Sequence, residues 1–391
     1  MTETTFLPIC PDSEVLPLIE MKQVPVHCNV LWSTREGAVA APRGDIRLGY
    51  FPECGHIFNL DFDPSLMEYT QEYENSLHFS ARFQKYATAL AKRLIERYDL
   101  HDKDIVDIGA GKGDFLLMMC DDIGNNRGWG FDPSYVPDPA YSSDKVQFIL
   151  DFYTEKYTSY KADLIACRHV LEHIETPDEF IGMVRRTVGA RKETAVFFEV
   201  PNALFTIERG GIWDIIYEHC SYFTPHSLAY LFRKHGFEVL DVREVFGGQF
   251  VSIEAKIADS NEAITGLSTD LTQLRESAAA FAEEYRQKVE KWREKLTAVT
   301  ANNQKAVIWG SGSKGVTFLN VLDQERVIEY AVDINPRKQG KFVAGTGQEI
   351  VPSEFLRDYQ PDLVIIMNAN YKDEISQMLQ KLGVEAEILL A

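Results

Sequence analysis

Residues 104–117 read DIVDIGAGKGDFLL, and this stretch limits the possible folds more than any other. Ile105, Val106 and Ile108 form a short apolar run. Gly109, Gly111 and Gly113 follow, and then Phe115, Leu116, Met118 and Met119 at helical spacing. A buried strand that turns on glycines into a helix is a building unit of an α/β sheet. The glycines let the main chain turn sharply, and let a ligand lie against it at the helix N-terminus. The spacing is GxGxG, not the GxGxxG of dinucleotide folds. Asp107 stands two residues before the first glycine. A dinucleotide has no particular need of an acid there, but a ligand carrying an ammonium group does.

Strand-like runs continue downstream, each ending in a polar residue. Trp129 to Phe131 ends in Asp132, placed to reach the two hydroxyls of an adenosine ribose. Val146 to Leu150 ends in Asp151-Phe152, suited to an adenine amine and ring face. Leu164 to Ala166 leads into Arg168-His169-Val170-Leu171-Glu172-His173. On the residues alone, a dinucleotide-binding Rossmann unit or a doubly wound sheet with incidental acids stays open. The ordered set resembles the class I S-adenosylmethionine-dependent methyltransferases. That resemblance implies a cofactor site of Asp107, Gly109, Gly111, Gly113, Asp132, Asp151, Phe152 and His169.

The rest of the chain fits around this unit. With 391 residues, two or three domains are expected. Residues 1–75 are rich in Pro, Cys and Gly and read as a small N-terminal domain. Residues 76–258 alternate strand and helix patterns. Residues 259–301 carry an apolar seam, Leu267, Leu271, Leu274, Ala278, Phe281, Tyr285, Val289, Trp292, Leu296 and Val299, whose steps of three and four make an amphipathic helix. Such a helix packs on its own protein or forms a dimer seam. Residues 302–391 start a second α/β pattern. The net charge of −19 repels phosphate backbones, so no nucleic acid and no anionic membrane is expected as a partner, and a small-molecule substrate is. No apolar run reaches the roughly 18 residues of a membrane span, and MTETTFLPICPDSEV has no basic region followed by an apolar stretch. Six cysteines do not suggest a disulfide framework. The expectation is a cytoplasmic protein with reduced thiols.

The chemistry concentrates after Glu199-Val200-Pro201-Asn202, in Ile212 to Phe223, IWDIIYEHCSYF. Histidine titrates near neutrality, so His219 is the natural general base. Glu218 can orient it or hold a substrate hydroxyl, and Tyr217 and Tyr222 can donate hydrogen bonds to an oxyanion. EVPN followed by YEHCSYF resembles the nucleotide-sugar C-methyltransferases, whose signature is EVP followed by YHEHxSYFS. That family joins a zinc-binding N-terminal domain, a methyltransferase core and a Rossmann-like C-terminal domain, and methylates C3 of a keto-deoxysugar carried on a nucleoside diphosphate. The resemblance covers most of the chain. It implies His219 as the base that takes the proton next to the ketone, with Glu218, Tyr217 and Tyr73 in the catalytic set. It implies Tyr222, Asn202, His78, Lys314 and Arg337 on the substrate, with Lys338 also near a diphosphate. Tyr69 to Tyr86 resembles the segment that closes over the ligands. Two departures stand where the sugar is contacted: Ile216-Tyr217 replaces the family's Tyr-His, and Gly247-Gly248-Gln249-Phe250 replaces its GGS-Arg.

The family's two CxxC pairs appear as Cys10-Pro11-Asp12-Ser13 and Phe51-Pro52-Glu53-Cys54, each with one thiol kept. Structural zinc wants four ligands. Cys10 and Cys54 are the metal candidates, and the alternatives are a metal-free relic or a shell completed by Cys28, His27 or His56. Near the C-terminus, KAVIWGSGSKGVTFLN holds a true GxGxxG at Gly310, Gly312 and Gly315, with Asp333 at the next strand end. Alone it suggests a nicotinamide-dependent oxidoreductase. The resemblance instead implies a substrate-binding role without redox work. The expected fold is α/β: a class I, Rossmann-like methyltransferase core with a small N-terminal domain and a second Rossmann-like C-terminal domain. An O- or N-methyltransferase acting on a non-sugar natural product is the nearest rival.

Overall fold

The computed structural model describes residues 9–10, 14–67, 73–137, 143–258, 271–322 and 327–391. Tyr69 and Leu267 lie outside them, as do Pro11, Asp12 and Ser13 of the first cysteine segment. Three sheets make up the fold. A four-stranded antiparallel sheet runs β1 (Leu16–Pro25), β2 (Arg43–Phe51), β3 (His56–Asn59) and β9 (Ser221–Tyr222). A seven-stranded sheet contains β4 (Asp104–Ile108), β5 (Arg127–Phe131), β6 (Val146–Ile149), β7 (Leu164–Arg168), β8 (Ala195–Pro201), β10 (Phe237–Val245) and β11 (Phe250–Ile257). Its order is β10-β11-β8-β7-β4-β5-β6. A five-stranded parallel sheet contains β12 (Ala306–Trp309), β13 (Ile328–Val332), β14 (Glu349–Val351), β15 (Leu363–Ile366) and β16 (Glu387–Leu390), in the order β14-β13-β12-β15-β16.

In the central sheet β4 to β8 are parallel, and β11 and β10 form an antiparallel hairpin against β8. Parallel strands are covered on both faces, which is why β4, β7 and β8 read as nearly continuous apolar runs without alternation. Strand order runs outward from β4 to β6 on one side and from β7 through β8 and β11 to β10 on the other. The reversal between β4 and β7 leaves a crevice at the carboxyl ends of these strands, where open α/β sheets bind ligands. The C-terminal sheet repeats the arrangement, with its reversal between β12 and β15.

The N-terminal sheet is not self-contained. Ile57 and Phe58 of β3 pair with Tyr222 and Ser221 of β9, so the segment after β8 completes a sheet built mainly from the first 60 residues. A boundary near residue 75 therefore separates the chain in sequence but not in space. The predicted amphipathic segment is one helix, Leu271–Ala301. Its seam is buried against the same chain, through Leu274, Ala278, Phe281, Val289, Trp292, Leu296 and Val299. Trp292 meets Phe318 of the helix Ser313–Leu322 edge-on at 5.1 Å, and Trp213 meets the same ring at 5.0 Å. That one phenylalanine thus couples the long helix, the loop after β8 and the C-terminal sheet.

Two expectations about the N-terminal thiols are corrected. Cys10 and Cys54 are joined in a disulfide, with Cα atoms 6.4 Å apart, so neither offers a thiolate to zinc and the pair is not reduced. Cys28, His27 and His56 do not complete a shell around them. His27 Nδ1 lies 3.4 Å from Glu218 Oε1, and the Cys28 N–H donates to Glu218 Oε2 at 3.2 Å. The His56 ring packs against Phe223 at 4.8 Å, and burial pushes its pKa down to about 3. The family's zinc has no matching ligand set here. Cys28, Cys120, Cys167 and Cys220 are free and buried. Among the described residues, no helix is long and apolar enough to cross a membrane.

Removing the Trp292 side chain takes away an indole that is only 3% exposed and leaves a cavity under Phe318. We expect Trp292→Ala to lower unfolding stability by about 3–5 kcal/mol, read from a denaturant midpoint. An unchanged midpoint would show that the long helix does not hold the C-terminal unit.

Candidate active site

The glycine turn after β4 lines a cavity of about 350 Å³. Gly109 and Gly111 adopt φ of 73° and 58°, and a Cβ on Gly109 would stand 2.1 Å from Val170 Cγ2. No atom lies within 4 Å of where a Cβ on Gly111 would sit, so its backbone face is open to a ligand. Asp132 Oδ2 accepts the Gly111 N–H at 2.8 Å, and its Oδ1 accepts from the N–H and hydroxyl of Ser134 at 2.7 Å each. The turn and the strand-end acid are thus one preorganised unit. Asp107 is buried on the same wall. Burial pushes its carboxyl up to about 7; Arg168 opposes the shift and Asp132 adds to it. A buried carboxylate beside an open backbone cradle fits a ligand that bears both a cation and a nucleoside.

The other predicted cofactor residues divide. Phe152 and His169 are on the wall. Gly113 is not: its φ of 88° caps the helix Asp114–Leu117, and a Cβ there would enter the Phe148 ring. Asp151 is also off the wall, because Lys156 and the Tyr157 hydroxyl, the latter at 2.7 Å, hold its carboxylate. His78 faces this cavity, edge-on to Phe83 at 5.2 Å, and not the second cavity where a substrate residue would be.

That second cavity, about 300 Å³, lies between the central and C-terminal units. The two share Tyr73, Asn75, Ser76, Leu77, His169 and His173 as a common wall. His219 lies on the second cavity only, and its ring meets His173 edge-on at 4.9 Å. Ile216 and Lys314 are on the same wall, and Lys314 is ion-paired with Asp214. Gln249 and Asn368 exchange amide hydrogen bonds at 2.7 and 3.0 Å, closing the cavity between the two units. The far side is the second glycine turn. Asp333 Oδ2 accepts from the N–H and hydroxyl of Ser311 at 3.1 and 2.7 Å, and buried Lys338 donates to Asn29 at 3.3 Å.

A buried charge cluster supports the common wall. Glu199, at the end of β8, has no exposed surface. Its Oε1 accepts from Arg168 Nε and Nη2 at 3.1 and 2.9 Å and lies 3.2 Å from His169 Nε2, while Oε2 accepts from Tyr86. Burial works against the Glu199 charge, but Arg168 and His169 outweigh it and hold the pKa near about 2. Burial also works against a charged His169, yet Glu172 and Glu199 raise its pKa to about 9. His169 sits at φ 56°, in the left-handed region, so the cluster holds its backbone as well as its ring.

Several predicted site residues point elsewhere. Glu218 is turned into the N-terminal unit, toward His27 and Cys28. The Tyr217 hydroxyl accepts the Asp63 N–H at 2.8 Å under the N-terminal sheet, and the Tyr222 hydroxyl bonds the Ile216 backbone at 3.0 and 3.1 Å. Neither tyrosine lines either of these two cavities, and each hydroxyl is spent on main chain. Asn202 caps the helix Ala203–Glu208 and donates to the Gly248 carbonyl at 2.9 Å. Arg337 pairs with Glu74 at 3.1 Å and lies off the wall. The sequence reasoning did not single out Glu172 and His173. The doubled histidine of HVLEH was the available signal.

A methyltransferase-domain family model matches residues 79–242, and a C-methyltransferase C-terminal domain model matches residues 250–387. The chain is an S-adenosylmethionine-dependent methyltransferase. C-methyltransferase NovU of Streptomyces niveus is 26% identical over 298 residues, which is 72% of this methyltransferase and 70% of that protein. Among solved structures, a Burkholderia thailandensis 1,6-didemethyltoxoflavin-N1-methyltransferase with bound S-adenosylhomocysteine is 15% identical, with a TM-score of 0.35 over 46% of this chain and 82% of its own. Human N-acetylserotonin methyltransferase in complex with S-adenosylmethionine is 16% identical, with a TM-score of 0.35 over 45% and 56%. In the methyltransferase described here, S-adenosylmethionine fits the first cavity by the chemistry of Asp107, Asp132 and the open glycine cradle.

Replacing Glu199 with Gln leaves the Arg168 guanidinium buried without its counter-charge. We expect Glu199→Gln to cost about 3–5 kcal/mol of stability at neutral pH. A carboxyl held near about 2, against an ordinary 4.5, contributes its stability above 4.5 and loses it as pH falls toward 2. The gap between variant and wild type should therefore narrow below pH 4.5 in denaturant titrations, and a gap independent of pH would contradict the assignment.

Proposed function

We propose that this methyltransferase alkylates the carbon next to the ketone of a keto-deoxysugar nucleotide, with His219 as general base. One observation carries the reading: the His219 imidazole stands on the acceptor side of a wall shared with the cofactor cavity. Burial, then the nearby His173, His169 and Lys314, push its pKa well below the usual histidine value, so its lone pair is free at neutral pH. The match to a C-methyltransferase C-terminal domain and the name of the Streptomyces niveus relative support carbon as the acceptor.

Asp107 would pair with the ammonium of the amino-acid portion, and Asp132 with the ribose hydroxyls. S-adenosylmethionine supplies, when bound, a sulfonium-borne methyl that the deprotonated acceptor carbon takes, leaving a thioether. His219 removes the α-proton and holds it as imidazolium. Tyr73 and His173, on the common wall, border the path between the cavities. On the far side, Ser311, Asp333 and Lys338 would take the nucleoside diphosphate. Lys338 is favoured over Lys314 and Arg337, which are already paired with Asp214 and Glu74.

His219→Ala is expected to reduce methyl transfer by about 10²–10⁴-fold while S-adenosylhomocysteine affinity, by calorimetry, stays unchanged. Retained turnover would remove His219 as the base. Product NMR should place the new methyl on carbon; a methyl on oxygen or nitrogen would end the sugar C-methylation reading. Asp107 gives a pH dependence. Its ionised form is the one that pairs with an ammonium, and its carboxyl titrates near about 7. S-adenosylhomocysteine affinity should therefore rise as pH approaches that value and fall below it by up to about tenfold per pH unit. Asp107→Asn should flatten the profile, and an unchanged slope in that variant would refute the pairing.

A further inference from the structure

Glu172, His173 and His219 bring one carboxylate oxygen and two imidazole nitrogens within 4.8 Å of one another, on the floor of the second cavity. Two come from a single 3-10 turn, Leu171–His173, and the third from the loop after β8. Glu172 is 2% exposed. Its Oε2 is buried with no hydrogen-bond partner among the described residues, and so is His219 Nδ1. Leaving such atoms unbonded is costly, so each needs an occupant that the other side chains do not supply.

We propose that these three side chains form a site for a borderline divalent transition ion such as Zn²⁺, with its open coordination position facing the second cavity. Donor chemistry selects the ion. Two imidazoles and a carboxylate suit zinc and its first-row neighbours, whereas calcium and magnesium take shells of oxygen. Outer partners are already in place, as metal-binding histidines require. His173 Nδ1 donates to the Glu218 carbonyl at 2.9 Å, so Nε2 is the ring nitrogen it would offer to the ion. Glu172 Oε1 lies 3.7 Å from His169 Nδ1, which leaves Oε2 for the ion. The site is separate from the family's zinc position, where Cys10 and Cys54 are joined to each other.

Its consequence rests on the reading of His219 as base. A metal and a substrate proton compete for the same imidazole, so an occupied site has no free base. Metal binding itself does not depend on that reading, and the test separates the two. Co²⁺ added to the full-length protein should give the visible d–d absorption of a low-symmetry site with nitrogen and oxygen donors, at one ion per chain. Zn²⁺ should displace it. Glu172→Gln and His173→Gln should each weaken the affinity by roughly 100-fold or more, and a double variant, Cys10→Ser with Cys54→Ser, should leave it unchanged. The denaturant midpoint of each variant checks that it is folded. Absence of Co²⁺ absorption overturns the proposal, as does binding that survives both floor substitutions or is lost only with the cysteines. All three results leave His219 standing as a base.

Discussion

A carboxylate with no exposed surface holds the centre of this molecule. Burying Glu199 costs several kcal/mol, and only well-placed cations and donors repay it. Arg168 comes from the end of β7, His169 from the turn after it, and Tyr86 from the helix Ala81–Tyr98. Three elements are thereby fixed to one atom pair at the end of β8. The same contacts set the left-handed backbone at His169, where the wall between the two cavities begins. The charge cluster is therefore a geometric device: it fixes the separation between the cofactor cradle and the acceptor cavity.

Glu218 does a comparable job one layer away. Its side chain reaches into the N-terminal unit while its backbone carbonyl receives His173. The residue next to it, His219, is held from both sides by that arrangement. The N-terminal sheet, completed by β9, acts as a clamp on the loop that carries the imidazole.

Much of this was legible in the sequence. The β4 turn, Asp132 and the amphipathic helix Leu271–Ala301 follow from local rules, namely strand, glycine turn, strand-end acid and helical spacing. What was not legible depends on side-chain direction after a loop. Tyr217, Glu218, His219 and Tyr222 are nearly consecutive, yet only His219 faces a cavity. The others are taken by backbone groups or side chains 6 to 191 residues distant in sequence. Asn202 and Asp151 are held by neighbouring groups and line neither cavity for a related reason. A short polar side chain at an element's end is satisfied locally before any ligand arrives. The disulfide was missed because half-lost CxxC pairs read as a decayed metal site, and spacing alone does not say that the survivors meet.

The two glycine turns line different cavities, the first turn one and the second turn the other, and use one device. Asp132 accepts from the Gly111 N–H and, two residues on, from the Ser134 N–H. Asp333 accepts from the Ser311 N–H and from the Asn335 N–H at 2.9 Å. Either strand-end acid is therefore preorganised for vicinal hydroxyls. They differ two residues before the first glycine, where the first turn has Asp107 and the second has Ile308. At that position the first cradle offers a carboxylate and the second an apolar side chain. The two turns thus share one backbone device and differ by the exchange of one buried carboxylate for an isoleucine.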